Sequence, residues 1–172
     1  DNSSSMEQEQ KSLADNFQRF ADVLETIEGG LPNIRMGVVS SDVGTEDGPD
    51  TDSLDGACDG FGDDGQLLID GDPANAACPA LADGDRFIED IAANEDGTER
   101  QANYSGTLAE QFSCMAVLGT EGCGFEQHLE SMRRALSEDK NPGFLRDNAF
   151  LAVIFIQDED DCSSSNGAVF DG

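Results

Sequence analysis

The chain predicts an α/β fold built around a parallel sheet, and three observations carry that prediction. "FLAVIFI" at 150–156 is seven consecutive apolar residues of β-branched and aromatic character, the pattern of a strand covered on both faces. Helical and strand patterns alternate along the chain, as a parallel sheet with crossover helices requires. Three oxygen-rich clusters, "DNSSS" at 1–5, "SSD" at 40–42 and "DEDDCSSS" at 158–165, stand beside those elements. Loops at the carboxyl ends of parallel strands are where such folds gather ligands.

Leu13, Phe17, Phe20, Leu24 and Ile27 fall at spacings of four and three, which predicts one helix from Met6 to about Glu28, stopped by "GGLPN". "IRMGVV" (34–39) reads as a strand that runs into Ser40, Ser41 and Asp42. From Val43 to about Gly84 the chain is rich in Gly and Asp, keeps no period and is expected to be irregular. "RFIEDIAA" (86–93) fits either a short strand or a helical turn. Thr107 and Glu110 have capping-box spacing, followed by Leu108, Phe112 and Met115, so a second helix begins there and ends near "LGTEGCG". A third places Phe125, Leu129, Met132 and Leu136 on one face and Arg133 and Arg134 on the other, and "NPGF" closes it.

At 172 residues the chain is expected to be a single domain. Its 37 acidic residues against 9 basic ones give a net charge of -28, which repels nucleic-acid phosphates and anionic membrane surfaces. Two explanations compete for the acidity: solubility in salty surroundings, with Lys11 and Lys140 the only lysines, and divalent-cation binding by oxygen ligands. Residues 43–100 hold 17 of the acidic residues against Arg86 and Arg100 alone, and read as one acidic insertion or long loop. No apolar run is long enough to insert this segment in a membrane.

Cys58, Cys78, Cys114, Cys123 and Cys162 form no CxxC, and His128 is the only histidine, which argues against a closed zinc site. Disulfides formed in an oxidising compartment fit better. Local pairs, Cys58 with Cys78 and Cys114 with Cys123, are expected because each brackets a loop-like stretch. Cys162 is left as a free thiol or paired outside the chain.

Asp1, Ser3 and Ser5 form an Asp-x-Ser-x-Ser pattern, and a long amphipathic helix, "MGVVSSD" and "LAVIFIQDEDD" follow it. This arrangement resembles the von Willebrand factor A domains and their metal-ion-dependent adhesion site. "LGTEGCGFEQHLESMRRAL", "NPGFLRDNAFLAVIFI" and "DEDDCS" resemble a secreted or lipoprotein branch of bacterial, myxobacteria-like A domains. The resemblance implies a Rossmann-like, doubly wound, mostly parallel sheet flanked by helices over residues 1–172, with the first strand preceding residue 1. It also implies an extracellular, periplasmic or cell-surface location, including lipoprotein anchoring through a segment outside the chain.

For the site, the resemblance implies one Mg²⁺, or Mn²⁺ or Ca²⁺, held by the hydroxyls of Ser3 and Ser5, with Asp1 and Asp158 binding directly or through water. The family's threonine has Thr120 as its nearest match in type, whereas Cys123 stands near the expected position. If Cys123 is bridged, that ligand is either absent or replaced by Thr120 or Glu126. Gln157, Glu159 and Ser4 depart from the family pattern. A carboxylate from a partner protein would complete the ion's open position, which is adhesion rather than catalysis.

Other readings of the same residues stay open. Asp1, Ser3 and Ser5 also suit a helix cap at a polar terminus, and Asp158, Asp160 and Asp161 suit a solvated loop. "DTDSLDG" (50–56) has carboxylates at alternate positions but Phe61 where a calcium loop needs Glu. His128 reads as a surface histidine, and no Ser or Cys has an evident His partner for nucleophilic catalysis. The alternative functions are a scaffold domain with a degenerate metal site and a metal-dependent hydrolase using the late acidic cluster.

Overall fold

The spacing of apolar residues near the amino end becomes helix α1, Glu7–Glu25, in a computed structural model that describes residues 1–46, 56–94, 96–165 and 169. Three strands, β1 (Ile34–Met36), β2 (Ile88–Ala92) and β3 (Arg100–Ala102), two further helices, α2 (Leu108–Met115) and α3 (His128–Ala135), and short 3-10 turns at Gly56–Cys58 and Ala82–Gly84 make up the regular structure of those residues. The chain divides into two units. One is Asp1–Glu9, Val39–Leu67 and Gly119–Gly172, and the other is Gln10–Val38 and Leu68–Leu118.

In the second unit the strands pair antiparallel in the order β1-β2-β3. This corrects the expected Rossmann-like, doubly wound parallel sheet. "RFIEDIAA" resolves as strand β2, and only Ile34–Met36 of "IRMGVV" is strand, with Val38 making an isolated bridge to Leu68. The register sets Arg35 opposite Glu89, and the two side chains pair across the strands. One face of β2 carries Ile88 and Asp90, both buried.

Asp90 is an acid on the core side of the sheet, and its neighbours explain why it is tolerated. Its carboxylate accepts from Arg100 Nε at 2.7 Å and from the Tyr104 hydroxyl at 2.6 Å. Arg100 continues to the carbonyls of Leu31 and Pro32, so one guanidinium ties the turn before β1 to the far strand. Burial and the Asp90 carboxylate together push the Tyr104 hydroxyl well above its usual range.

Phe17, Ala21, Leu81, Ile88, Leu108, Ala109 and Met115 pack around the Cys78–Cys114 disulfide, and Phe17 stacks on Phe112 with ring centroids 3.8 Å apart. Each large side chain fully buried there contributes about 1.5–3 kcal/mol. Phe20 and Ile27 of the predicted α1 face stay more than one-third exposed, so the stripe is buried only around Phe17 and Ala21. The capping box of α2 forms as expected: Thr107 accepts from the Glu110 N–H, and Glu110 accepts from the Thr107 N–H.

In the first unit α3 departs from its predicted orientation. His128, Ser131 and Ala135 are buried, whereas Phe125 and Leu129 are exposed. A polar contact outweighs the apolar stripe here, because the Ser131 hydroxyl donates to the Ser40 carbonyl at 2.5 Å and turns that face inward. Gln127, at the cap position, does not cap the helix with its side chain, which donates to the Gly44 carbonyl at 2.7 Å, and a remote segment supplies the acceptors instead. Asp161 takes the Leu129 N–H at 3.0 Å and Ser163 takes the Glu130 N–H at 2.9 Å. Beyond the helix, Asn141 is buried and bonds to Leu67, Gly65 and Ala135.

"FLAVIFI" forms no strand; Phe150, Leu151, Val153, Ile154 and Phe155 are exposed. The sequence pattern identifies a segment fit to be paired on both sides, but a strand exists only where a neighbour takes its backbone groups.

The cysteines are cross-linked as Cys58–Cys123 and Cys78–Cys114, which corrects the expected local pairs, and Cys162 is free and exposed. Each bridge closes within one unit, because residues 39–67 fold with 119–172 and residues 68–118 fold with 10–38. Proximity in the chain therefore does not decide the partners. In the loop-entropy account each cross-link stabilises by about 4 kcal/mol. The two bridges fit an oxidising compartment, and no described helix is long and apolar enough to cross a membrane.

Two stability outcomes follow from these ion pairs. Asp90→Ala leaves the guanidinium of Arg100 without its carboxylate and should cost about 3 kcal/mol in urea unfolding. Asp15→Ala, which removes an exposed pair with Lys11, should cost less than about 0.5 kcal/mol; equal losses would contradict this. The Glu130 carboxyl is held down to about 2, first by Arg133 and then by Arg134. A depressed acid contributes stability above its unfolded value of 4.5 and loses it as pH falls toward 2. Because the group is partly solvated, the contribution is under about 1 kcal/mol. Glu130→Gln should flatten the fall in melting temperature between those pH values, and an unchanged slope would refute the assignment.

Candidate cation site

The carboxylate of Asp42 organises the first unit. Oδ1 accepts from the Gly44 N–H at 2.9 Å, Oδ2 accepts from the Cys123 N–H at 3.3 Å, and the Asp42 carbonyl takes the Asp63 N–H at 3.0 Å. Burial is the largest influence on its pKa and raises it; the two N–H donors oppose that shift, and the nearby Asp63 adds to it. Ser40 lies between the two acids, accepting from the Asp42 N–H and donating to Asp63 Oδ2 at 2.5 Å.

The backbone must come very close to make this arrangement. Gly44 has φ +62°, and a Cβ there would lie 2.0 Å from the Gly60 carbonyl oxygen. At Gly62, φ is +54° and a Cβ would lie 2.1 Å from Asp42 Oδ1. Both glycines are required by a left-handed backbone and by space together. The Cys58–Cys123 bridge then fixes the two sides, with Thr45 donating its hydroxyl and its N–H to the Cys58 carbonyl.

On this frame the "SSD" cluster meets "DNSSS". The Ser41 hydroxyl donates to Asp1 Oδ1 at 3.3 Å, and the same oxygen accepts the Ser3 N–H at 2.8 Å. The hydroxyls of Ser3 and Ser5 are 3.3 Å apart, Ser3 buried and Ser5 exposed. The Asp1 amino nitrogen donates to the Ile156 carbonyl at 3.3 Å, which brings the end of "FLAVIFI" and Asp158 to the same place. The carboxylates of Glu126 and Asp158 lie near the same nitrogen.

Glu126 is the residue whose surroundings the sequence states least clearly. It is 1% exposed, and its Oε2 has no hydrogen-bond partner. Its charge reaches Asp1 and also Cys162, whose thiol is pushed up by burial first and by Glu126 next. The Glu126 carbonyl accepts the Cys162 N–H at 2.8 Å, which seats the strap 157–163. Asp158, Glu159, Asp160, Gln157 and Cys162 line an open hollow on that strap.

The candidate ligands therefore separate. Asp1, Ser3 and Ser5 lie together, and Glu126 and Asp158 face the Asp1 amino group. Thr120 makes no hydrogen bond to any of these residues among those described. Cys123 is in a disulfide and supplies no ligand. Asp161 caps α3 and Asp160 accepts the Cys162 thiol through its carbonyl. His128, expected at the surface, is buried, edge-on to Phe155 at 5.9 Å and 3.7 Å from Asp161. "DTDSLDG" lies outside the described residues except for Gly56.

Among the described residues no three His, Cys, Asp or Glu side chains form a metal-holding group. The donor set at Asp1 is of another kind, two hydroxyls with carboxylates around them, which suits a hard cation that keeps several waters. The buried Glu126 oxygen fits the same need, since a carboxylate out of water is costly until a positive charge or donor meets it. Set against family models, curated proteins and solved structures, the chain matches none of them.

Proposed function

We propose that the first unit is a protein-binding module that holds one divalent cation, Mg²⁺ or in its place Mn²⁺ or Ca²⁺. Its ligands are the Ser3 and Ser5 hydroxyls, with Asp1 and Asp158 bound directly or through water and Glu126 standing in for the family's threonine in place of Thr120. The observation that carries this reading is the buried Glu126 carboxylate, whose Oε2 has no hydrogen-bond partner beside an Asp-x-Ser-x-Ser loop. The resemblance of Asp1, Ser3, Ser5 and "FIQDEDD" to the von Willebrand factor A site supports the same reading.

A bound cation would supply an electrophilic centre with an open position, to which a carboxylate of a partner protein could bind. The chain's own residues set the selectivity. Hydroxyls at Ser3 and Ser5 add no charge, so the loaded site is less negative than it would be with carboxylates at those two positions, and a partner carboxylate would bind through the ion's open position. The surrounding negative charge opposes partners that are strongly acidic overall and favours a single exposed Asp or Glu in a neutral or basic setting. With two disulfides in an oxidising compartment, such a module would act outside the cytosol.

Calorimetric titration at about 0.15 M salt, where diffuse attraction is screened, tests the ligand set. Mg²⁺ should bind the unaltered chain at one site. Ser3→Ala combined with Ser5→Ala, or Glu126→Gln alone, should weaken it at least ~10-fold, about 1.4 kcal/mol. Thr120→Ala should leave it unchanged. Binding indifferent to the serine and glutamate changes would sink the assignment. For the partner, peptides selected on the Mg²⁺-loaded chain should carry Asp or Glu and come off with EDTA. Selected peptides without an acidic residue, or retained in EDTA, would contradict the adhesion reading.

A further inference from the structure

Asn2, which stands between the proposed ligands Asp1 and Ser3, carries another buried acceptor without a donor. The residue is 8% exposed, and its carboxamide Oδ1 has no hydrogen-bond partner among the described residues. A buried polar oxygen in that state is costly until a donor meets it.

The side chain is held from two sides. Asp1 Oδ1 takes the Ser3 N–H at 2.8 Å, so the backbone turns at residue 2. The Asn2 carbonyl takes the Gly122 N–H at 3.0 Å and seats that turn on the segment 119–124. A Cβ at Gly122 would lie 2.3 Å from Asn2 Oδ1, 2.4 Å from Cγ and 2.5 Å from Nδ2. The carboxamide therefore lies flat over the glycine, in room that any side chain at 122 would take, and its oxygen is in place before a ligand arrives.

The chemistry of what meets this oxygen follows from its type. It accepts, so its partner donates; it is neutral, so it adds nothing to the charge that draws an ion. Mg²⁺ gives up its waters reluctantly, whereas Ca²⁺ takes more protein oxygens directly. Water held by a cation is also a stronger donor than free water, because the metal draws its electrons away.

We propose that Asn2 Oδ1 accepts a hydrogen bond from a water on the bound cation, and so favours Mg²⁺ over Ca²⁺ at the site. This rests on the cation reading above and adds to it a residue that touches the ion's water and selects between ions.

The probes are the two ions alone, titrated calorimetrically into the full chain, with melting temperatures in EDTA as the ion-free control. Asn2→Ala should weaken Mg²⁺ ~5-fold, the loss of one hydrogen bond, and Ca²⁺ less than ~2-fold. Asn2→Asp keeps the shape and should tighten Mg²⁺. In EDTA it should melt below the unaltered chain, because its charge meets no donor, and it should recover that difference in Mg²⁺. Mg²⁺ affinity unmoved by Asn2→Ala would overturn the proposal by leaving the oxygen to an isolated buried water. Equal losses for the two ions would overturn it by making Asn2 a structural residue only. If either result comes with the expected loss in Glu126→Gln, the cation reading stands without Asn2; if Glu126→Gln and the double serine change also leave binding unmoved, both fall.

Discussion

The first unit depends on one buried carboxylate, that of Asp42. An ionised acid out of water needs donors, and the chain provides two backbone N–H groups, a local one from Gly44 and one from the distant segment at Cys123. That requirement brings residues 40–46 against 123–127. The bridge between Cys58 and Cys123 holds them there, and the glycines at 44 and 62 make room for it. Everything in the candidate site is attached to this node. Ser41 reaches Asp1 from it, Gln127 is held by the Ser41 carbonyl, and Glu126 is buried because its neighbours on both sides are fixed.

The second unit uses the same device in a different setting. Asp90 sits on the buried face of β2 and is satisfied by Arg100 and Tyr104, so β2, β3 and the turn before β1 are joined through one acid and its guanidinium. In a chain with few basic residues, a buried acid has to be met chiefly by backbone N–H groups and hydroxyls, and a guanidinium is used where three elements must be joined at once. Acidity is thus partly architectural in this protein and cannot all be assigned to ion binding or solubility.

Local features were the legible ones. The helix over Glu7–Glu25 and the capping box at Thr107 each follow from residues within a few positions of one another, whereas the third helix stops at Ala135, short of the expected "NPGF". What failed were the inferences about strand pairing, cysteine pairing and the buried face of α3, each of which required a partner far along the chain. "FLAVIFI" has the composition of a central strand, yet nothing in its own letters says what pairs with it. The cysteines were matched by nearness, whereas the division of the chain into two interleaved units decided their partners. In α3 the apolar stripe at Phe125 and Leu129 lost to the bond from Ser131 to the Ser40 carbonyl, a contact with no periodic signature. Within the site, Asp1, Ser3, Ser5 and Asp158 were readable from a motif; Ser41, Asp42 and the burial of Glu126 were not, because their roles exist only once the Asp42 node has formed.

The account turns on where a divalent ion goes in a protein that offers 37 acidic side chains. Paramagnetic broadening by substoichiometric Mn²⁺ in an NMR spectrum of the assigned chain answers this directly, since the effect falls steeply with distance from the ion. The resonances of Ser3, Ser5, Glu126 and Asp158 should disappear first, while those of Asp70, Asp72 and Asp96 persist. Broadening spread evenly over the acidic surface, or centred away from Glu126, would contradict the proposed site.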